Sequence, residues 1–183
     1  MNRSLKTLFL FNGIYVFAAS LLGPLYALYV EGLDQGILSV STTWAVFTIS
    51  ATIFMFLLTK FGDKIKDKEN LLLAGFIIRA VVWFSYTLIG NISSLILLQI
   101  LLGLGEALGT PAYDSLLAEH LDRGKHISEF ARWKLISNLV GSFGTIIGGF
   151  TVAIFGFNSL FRLMSILAVI SFIGILKSPK RLL

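Results

Sequence analysis

The sequence predicts an all-α polytopic membrane protein, and three observations support that prediction. The 183-residue chain is 56% hydrophobic and 14% charged, whereas soluble domains are about 45–50% apolar and about 25% charged. Six stretches approach the roughly 20 apolar residues that cross a bilayer. Basic residues collect in alternate connections between these stretches. A soluble domain, a disordered chain and, because Cys is absent, a disulfide scaffold are all disfavoured.

The six predicted spans fill most of the chain. They occupy residues 7–30, 42–60, 71–90, 94–117, 135–157 and 159–176. We therefore expect one six-helix membrane domain over residues 1–183, divided into three-helix repeats at 7–90 and 94–176. Consecutive spans run in opposite directions, so the two repeats would be inverted copies of each other. Pro24 and Pro111, each toward the end of the first helix of its repeat, are consistent with this division.

The distribution of positive charge predicts the orientation, because Lys and Arg accumulate in cytoplasmic loops. All but two of the 15 Lys and Arg residues precede the first span, follow the last or lie at 60–70 and 119–134. These positions share one side of the membrane. We expect both termini in the cytoplasm and the protein in the cytoplasmic (inner) membrane. Nucleic acid is excluded as a partner, because the basic groups flank helices and form no single patch.

One of the two basic residues that lie within predicted spans is deep in its span, and an acidic residue lies at a similar depth in the next span. Arg79 is 8 residues into the third span and Glu106 is 12 residues into the fourth. At 1.5 Å per residue, Arg79 lies about 12 Å from the cytoplasmic face. Glu106 lies about 18 Å from the outer face, which in a hydrocarbon core of about 30 Å is again about 12 Å from the cytoplasmic face. An ionisable group in a span costs at least about 2.5–3.5 kcal/mol. We therefore expect the two to pair or to exchange partners during transport, and a static pair that fixes helix register is an equal alternative.

Polar side chains also share one face of the first and fourth spans, at about 100° per residue. The candidate cavity-lining residues are Asn12, Tyr15, Tyr26, Gln99, Glu106, Thr110 and Tyr113. A polar stripe on a membrane helix faces protein or a water-filled cavity. Hydrogen bonding between helices without a ligand is the alternative, and the acidic Glu106 favours a cavity.

The fifth span carries small residues that allow close helix packing. The candidate packing residues are Gly141, Gly144, Gly148 and Gly149. No phosphate-binding loop, nucleophile elbow or metal-binding spacing occurs in the chain. We therefore predict no enzymatic activity, no cofactor and no metal site.

Six spans with a charged connection after the second resemble the N-terminal half of the major facilitator superfamily. Asp63-Lys64 with Lys68 resembles the family's loop motif Gly-x-Leu-x-Asp-Arg-x-Gly-Arg-Lys, although neither glycine of that motif is present. The resemblance implies that Asp63, Lys64 and Lys68 form a charge cluster at a cytoplasmic gate. Gln99-x-x-x-Gly103 resembles the family's Arg-x-x-x-Gly motif with Gln in place of Arg.

A further motif concerns the fifth span, where residues 144–149 resemble the family's exporter motif Gly-Pro-x-x-Gly-Gly with Thr in place of Pro. Members of the family normally have twelve helices in two halves, with the first and fourth helices of each half lining a midplane cavity. The resemblance therefore implies that this chain supplies one wall of such a cavity.

A single half would expose a polar wall to lipid, so we expect a second copy to close it. Both copies share one orientation, which favours a parallel homodimer with its two-fold axis along the membrane normal. The candidate seams are the small residues of the fifth span and the stripe Thr48, Thr52, Met55 of the second. The expected function is half-size secondary active transport of a small solute by alternating access, with Glu106 as the candidate carrier of a coupling proton. A non-transporting membrane subunit and a truncated half that needs a different partner are the alternatives.

Overall fold

A computed structural model describes residues 3–34, 36–62, 65, 67–122 and 124–178. Every long regular element within these residues is an α-helix, so the predicted all-α class is confirmed. The helices are α1 Arg3–Leu22, α2 Leu25–Leu33, α3 Ile37–Phe61, α4 Lys68–Ser85, α5 Ile92–Glu119 and α6 His126–Leu176.

Four of these helices are long and apolar enough to cross a membrane, namely α1, α3, α5 and α6. Helix α6 has 51 residues, more than twice the roughly 20 that cross a bilayer once. Gly156 divides it with a φ of +76°, a conformation that costs glycine little because it has no Cβ. Trp133 and Gly174 both lie beside residues 9–11 of α1, so the chain reverses direction at Gly156. Six spans are compatible with this architecture and remain a prediction.

The first predicted span is wrong in one respect, because it is two helices. Gly23 has a φ of +25°, and Pro24 is the N-cap residue of α2. Proline lacks an N–H and its ring obstructs the preceding turn. Pro111, by contrast, lies inside uninterrupted α5, where other contacts of a membrane helix tolerate it. The two prolines are therefore not matching interruptions, and the internal repeat stays a prediction.

The connection before the fifth span is also shorter than predicted. Helix α6 begins at His126, so Arg132 and Lys134 lie on a helix and not in a loop. Glu129 near the start of α6 is 3% exposed, and its Oε2 accepts the backbone N–H of Asp122 at 2.8 Å. This bond joins the connection to the first turn of α6 and lets the helix begin ahead of its apolar segment.

The core lies where α1 packs against α6 and where α5 packs against α4 and α3. One apolar cluster surrounds Tyr29, Tyr86 and Phe161, and a second surrounds Leu8, Phe76 and other residues near the opposite end of the bundle. The two clusters hold the two ends of the helical bundle together. Helix α3 contributes least to the core and has its large apolar side chains exposed, among them Trp44, Ile53 and Phe56.

The small residues of the fifth span contact α1 of the same chain. A Cβ added at Gly144 would lie 2.9 Å from the Phe17 carbonyl oxygen, and one at Gly148 would lie 1.9 Å from that of Leu21. Gly141 approaches the Ser20 hydroxyl on the same helix. The prediction that this face forms a dimer seam is therefore wrong, because α1 already covers it. Gly149 makes no such contact within the chain, since an added Cβ would meet nothing within 4 Å, and its role in packing stays a prediction.

Candidate functional site

The centre of the candidate site is an ion pair between α4 and α5. Arg79 Nη2 lies 2.5 Å from Glu106 Oε2 and donates a second hydrogen bond to Thr110 Oγ1 at 3.2 Å. The Thr110 hydroxyl donates in turn to Glu106 Oε1 at 2.7 Å. The Arg79 side chain is 2% exposed and that of Glu106 is 31% exposed. The cation is thus buried in protein, and the carboxylate borders open space.

Glycines bring α4 and α5 close enough for this pair to form. A Cβ added at Gly75 of α4 would lie 2.6 Å from Gly109 Cα on α5. Gly105 and Gly109 face the Arg79 side chain itself, where added Cβ atoms would lie 3.0 Å from Cγ and 2.7 Å from Nη1. The Arg79 Cζ lies 4.7 Å from the centroid of the Tyr15 ring, a favourable cation–π distance. Three helices therefore fix the guanidinium.

A half-enclosed cavity of about 790 Å³ extends from Arg79 between α1, α5 and the first part of α6. Its α1 wall presents Asn12 and Tyr15, and its α5 wall presents Thr110 and Tyr113. The α6 wall is also polar and contains Trp133, Lys134, Ser137, Asn138, Ser142 and Thr145. The volume falls in the range of about 300–1,000 Å³ that is typical of small-molecule sites.

A second cavity of about 180 Å³ adjoins the first, and Tyr15, Gly23 and Arg79 line both. Tyr26, Gln99 and Glu106 belong to its lining. Gln99 links the surrounding helices, because its Oε1 accepts the Tyr86 hydroxyl at 3.2 Å and its Nε2 donates to Tyr26 Oη.

The hydrogen-bonded chain continues into α3, where Tyr26 Oη donates to Thr43 Oγ1 at 2.7 Å. Gln99, Tyr86, Tyr26 and Thr43 thus connect α5, the end of α4, α2 and α3. Satisfied polar groups of this kind are expected where water is scarce. These hydrogen bonds hold the short helix α2 over the smaller cavity.

Tyr113 carries the one buried side-chain polar atom that lacks a hydrogen bond among the residues that the structure describes. Tyr113 is 4% exposed, and Asn12 lies near its hydroxyl without completing a hydrogen bond. Both residues line the larger cavity. A buried hydroxyl without a partner is unfavourable, so a polar ligand or water in this cavity would stabilise it.

The structure places every sequence-predicted cavity residue along one of these two cavities. Asn12, Thr110 and Tyr113 line the larger cavity, Tyr26, Gln99 and Glu106 line the smaller one, and Tyr15 lines both. The sequence interpretation missed the extent of the α6 wall, because the small residues between its polar side chains indicated packing first. The spacing of Ser137, Gly141 and Thr145, together with adjacent Asn138 and Ser142, was the available signal.

The predicted gate cluster is only partly visible, since Asp63 and Lys64 lie outside the described residues. Lys68 begins α4, where its Nζ donates to Ser115 Oγ at 2.8 Å and pairs with Glu119. Both partners belong to α5, so in this structure Lys68 joins the ends of α4 and α5. The described ranges contain no group of three or more His, Cys, Asp or Glu residues that is arranged for a metal.

Comparison with known proteins identifies the context of this site. The sequence profile of the Major Facilitator Superfamily matches residues 8–182. The chain is also similar to YitZ of Bacillus subtilis (strain 168), which is described as an uncharacterized MFS-type transporter. The two are 26% identical over 165 residues, which cover 88% of this chain and 98% of the relative.

Proposed function

Because the chain belongs to the Major Facilitator Superfamily, we propose that it is a half-size secondary active transporter of a small solute. The family and the apolar helices make it a multi-pass membrane transporter in general terms. In our proposal it works as a parallel homodimer by alternating access. It lies in the cytoplasmic (inner) membrane with both termini inside, as the loop charges indicate.

The observation that supports this proposal most strongly is the cavity that ends at the ion pair. Its lining of amide, hydroxyl and aromatic groups, together with the charged side chains of Asp114 and Lys134, offers polar contacts to a small solute. The Arg79 and Glu106 charges offset each other at its inner end. Such a polar surface is costly against hydrocarbon, which favours a solvated passage over a lipid-facing groove.

A second copy would close the cavity on its open side. Helix α6 forms one rim of the site, and α3 forms the opposite rim through Trp44 and Phe47. A two-fold axis between copies would set α3 of one against α6 of the other. Thr48 and Thr52 of α3 are exposed on the described chain, and they remain our candidates for this seam. YitZ, which is described as an MFS-type transporter, aligns with this chain over 98% of its own length. A relative of about the same size is consistent with a half-size unit.

Glu106 is the candidate carrier of a coupling proton in this proposal. Its carboxylate borders the smaller cavity, and it pairs with the buried Arg79, which lines both cavities. Protonation of Glu106 would release Arg79 to Thr110 and Tyr15, and loss of the proton would restore the pair. The protonation state of Glu106 would thus be coupled to whether a solute occupies the cavity.

The experiment is uptake into proteoliposomes with and without a pH gradient, with ethidium, glucose and alanine as cationic, neutral and zwitterionic probes. We expect uptake of one charge class to depend on the gradient and Glu106→Gln to abolish that dependence. Glu31→Gln is the matched control, because Glu31 is exposed and lines neither cavity. Transport and pH dependence that are unchanged in Glu106→Gln would remove this residue from the mechanism.

The oligomeric mass in mild detergent tests the homodimer. We expect twice the 20.1 kDa chain mass in the species that transports. A chain that is found only with a different membrane protein would favour a non-transporting subunit or a half that needs another partner.

A further inference from the structure

Two apolar grooves border α1 on faces that the solute cavity does not use. The first has a volume of about 490 Å³ and is lined by Lys6, Leu10, Gly13 and Phe17 of α1, with Val140 and Leu167 of α6 among its other residues. The second, of about 470 Å³, lies between Thr7 and Phe11 of α1 and the last turns of α6. Neither groove shares a residue with the 790 Å³ cavity.

Each groove has a lysine at the same end of the bundle. Lys6 is the one residue with a polar or charged side chain among the described residues that line the first groove. Lys177 lies at the end of α6, and with Ser178 it borders the second groove. Both lysines are exposed, and neither forms an ion pair with another described residue. The surface therefore combines apolar channels with two cations that have no ion-pair partner in the described part of the chain.

The length of the first groove matches one leaflet of a bilayer. Lys6 and Phe17 are 11 positions apart on α1, or roughly 16 Å at 1.5 Å per residue. Half of a hydrocarbon core of about 30 Å is close to that value. A phosphate beside Lys6 would thus leave an acyl chain lying along Leu10, Gly13 and Phe17.

Gly13 gives the groove its depth. A Cβ added at Gly13 would meet no atom within 4 Å, although the glycine itself is buried. The missing side chain therefore opens onto the groove, in contrast to Gly148, where the space is filled by α1. A larger residue at position 13 would occupy the channel without disturbing the helix contact behind it.

We propose that an anionic phospholipid binds here, with its phosphate between Lys6 and Lys177 and its acyl chains in the two grooves. Basic residues at the end of a membrane helix attract anionic headgroups, and the apolar lining excludes a free polar anion. The site is separate from solute transport, so it stands or falls independently of the proposed function.

Native mass spectrometry of delipidated protein tests the proposal, with dioleoyl phosphatidylglycerol and dioleoyl phosphatidylcholine as probes. We expect phosphatidylglycerol to bind more tightly and its affinity to fall roughly five-fold for each of Lys6→Gln and Lys177→Gln. Lys60→Gln is the matched control, because Lys60 is exposed, lies over the Phe56 ring and borders neither groove. Its lipid affinities should not change.

Gly13→Leu tests the acyl channel separately and should weaken binding of both lipids, and Ile14→Trp provides the same test if the first variant does not fold. Equal affinity of the native chain for the two lipids would overturn the proposal. So would an equal loss in Lys60→Gln and Lys6→Gln, because binding would then depend only on general surface charge.

Discussion

Two of the helix contacts that glycine allows in this protein have different consequences. At the α1–α6 contact, Gly144 and Gly148 face main-chain atoms of α1. At the α4–α5 contact, Gly105 and Gly109 face the flexible Arg79 side chain, which pairs with Glu106. Small residues allow close approach in both places. The first contact joins two walls of the cavity, whereas the second positions a charge inside it.

The largest effect is expected from Gly148→Val, which would break the first contact. Its Cβ would lie 1.9 Å from the Leu21 carbonyl oxygen, so α1 and α6 would have to separate. Overpacking of a core commonly costs about 1–3 kcal/mol, and a backbone clash of this size should exceed that range. We expect little folded protein by size-exclusion chromatography in detergent. Gly149→Ala should behave like the native chain, and similar losses in both variants would contradict this assignment.

The next effect concerns the charge that the second contact positions. Glu106→Leu would leave the Arg79 cation, which is 2% exposed, without its carboxylate. Loss of one member of a buried pair costs about 3–5 kcal/mol, and we expect about 3 kcal/mol because Thr110 and Tyr15 still contact Arg79. Thermal unfolding in detergent measures the change. The double variant Arg79→Met with Glu106→Leu should recover much of the loss, and an equally unstable double variant would argue against the ion pair as the cause.

Gly75→Ala tests the separation of α4 and α5 directly. The added methyl would lie 2.6 Å from Gly109 Cα and 2.8 Å from its nitrogen, and neither atom can move alone. We expect a loss of about 2 kcal/mol in the free energy of unfolding, measured by the same thermal unfolding. Gly13→Ala, with no atom within 4 Å of the new Cβ, is the control. An unchanged midpoint for Gly75→Ala would mean that the helices are not in contact at this position.

The smallest effect on stability is expected from Gly109→Ala. Here the new methyl would meet Arg79 Nη1 at 2.7 Å, and the end of a long side chain moves at little cost. We expect a loss of about 1 kcal/mol or less together with reduced uptake, since the guanidinium would be displaced slightly while its pair with Glu106 stays intact. Full transport activity in a folded Gly109→Ala protein would show that the position of Arg79 is unimportant.

Sequence reasoning located the polar residues well where helical geometry alone was sufficient. The rise per residue put Arg79 and Glu106 at similar depths, and they are bonded in the structure. The spacing on the fourth span put Gln99, Glu106 and Thr110 on one face, and each lines a cavity. These predictions needed only the period of one helix and the cost of a charge in hydrocarbon.

Sequence reasoning was weaker where the answer depended on which helix is the neighbour. The glycines of the fifth span indicated a close contact, but nothing in the pattern showed that α1, and not a second copy, occupies it. Likewise, the sequence pattern gave no reason to expect that Pro24 and Pro111 would affect their helices differently. The positive φ of Gly23 helps to break the chain before Pro24, whereas the turn around Pro111 stays helical.

Cysteine cross-linking in native membranes tests the central claim, the completion of the cavity by a second copy, most directly. The chain contains no Cys, so Thr52→Cys on α3 combined with Ser142→Cys on α6 introduces the only thiols. With a short bismaleimide, we expect a dimer for this pair and none for Ile166→Cys, a substitution at an exposed residue that lines neither cavity. A folded double-cysteine protein that stays monomeric, or a dimer formed equally by Ile166→Cys, would contradict it.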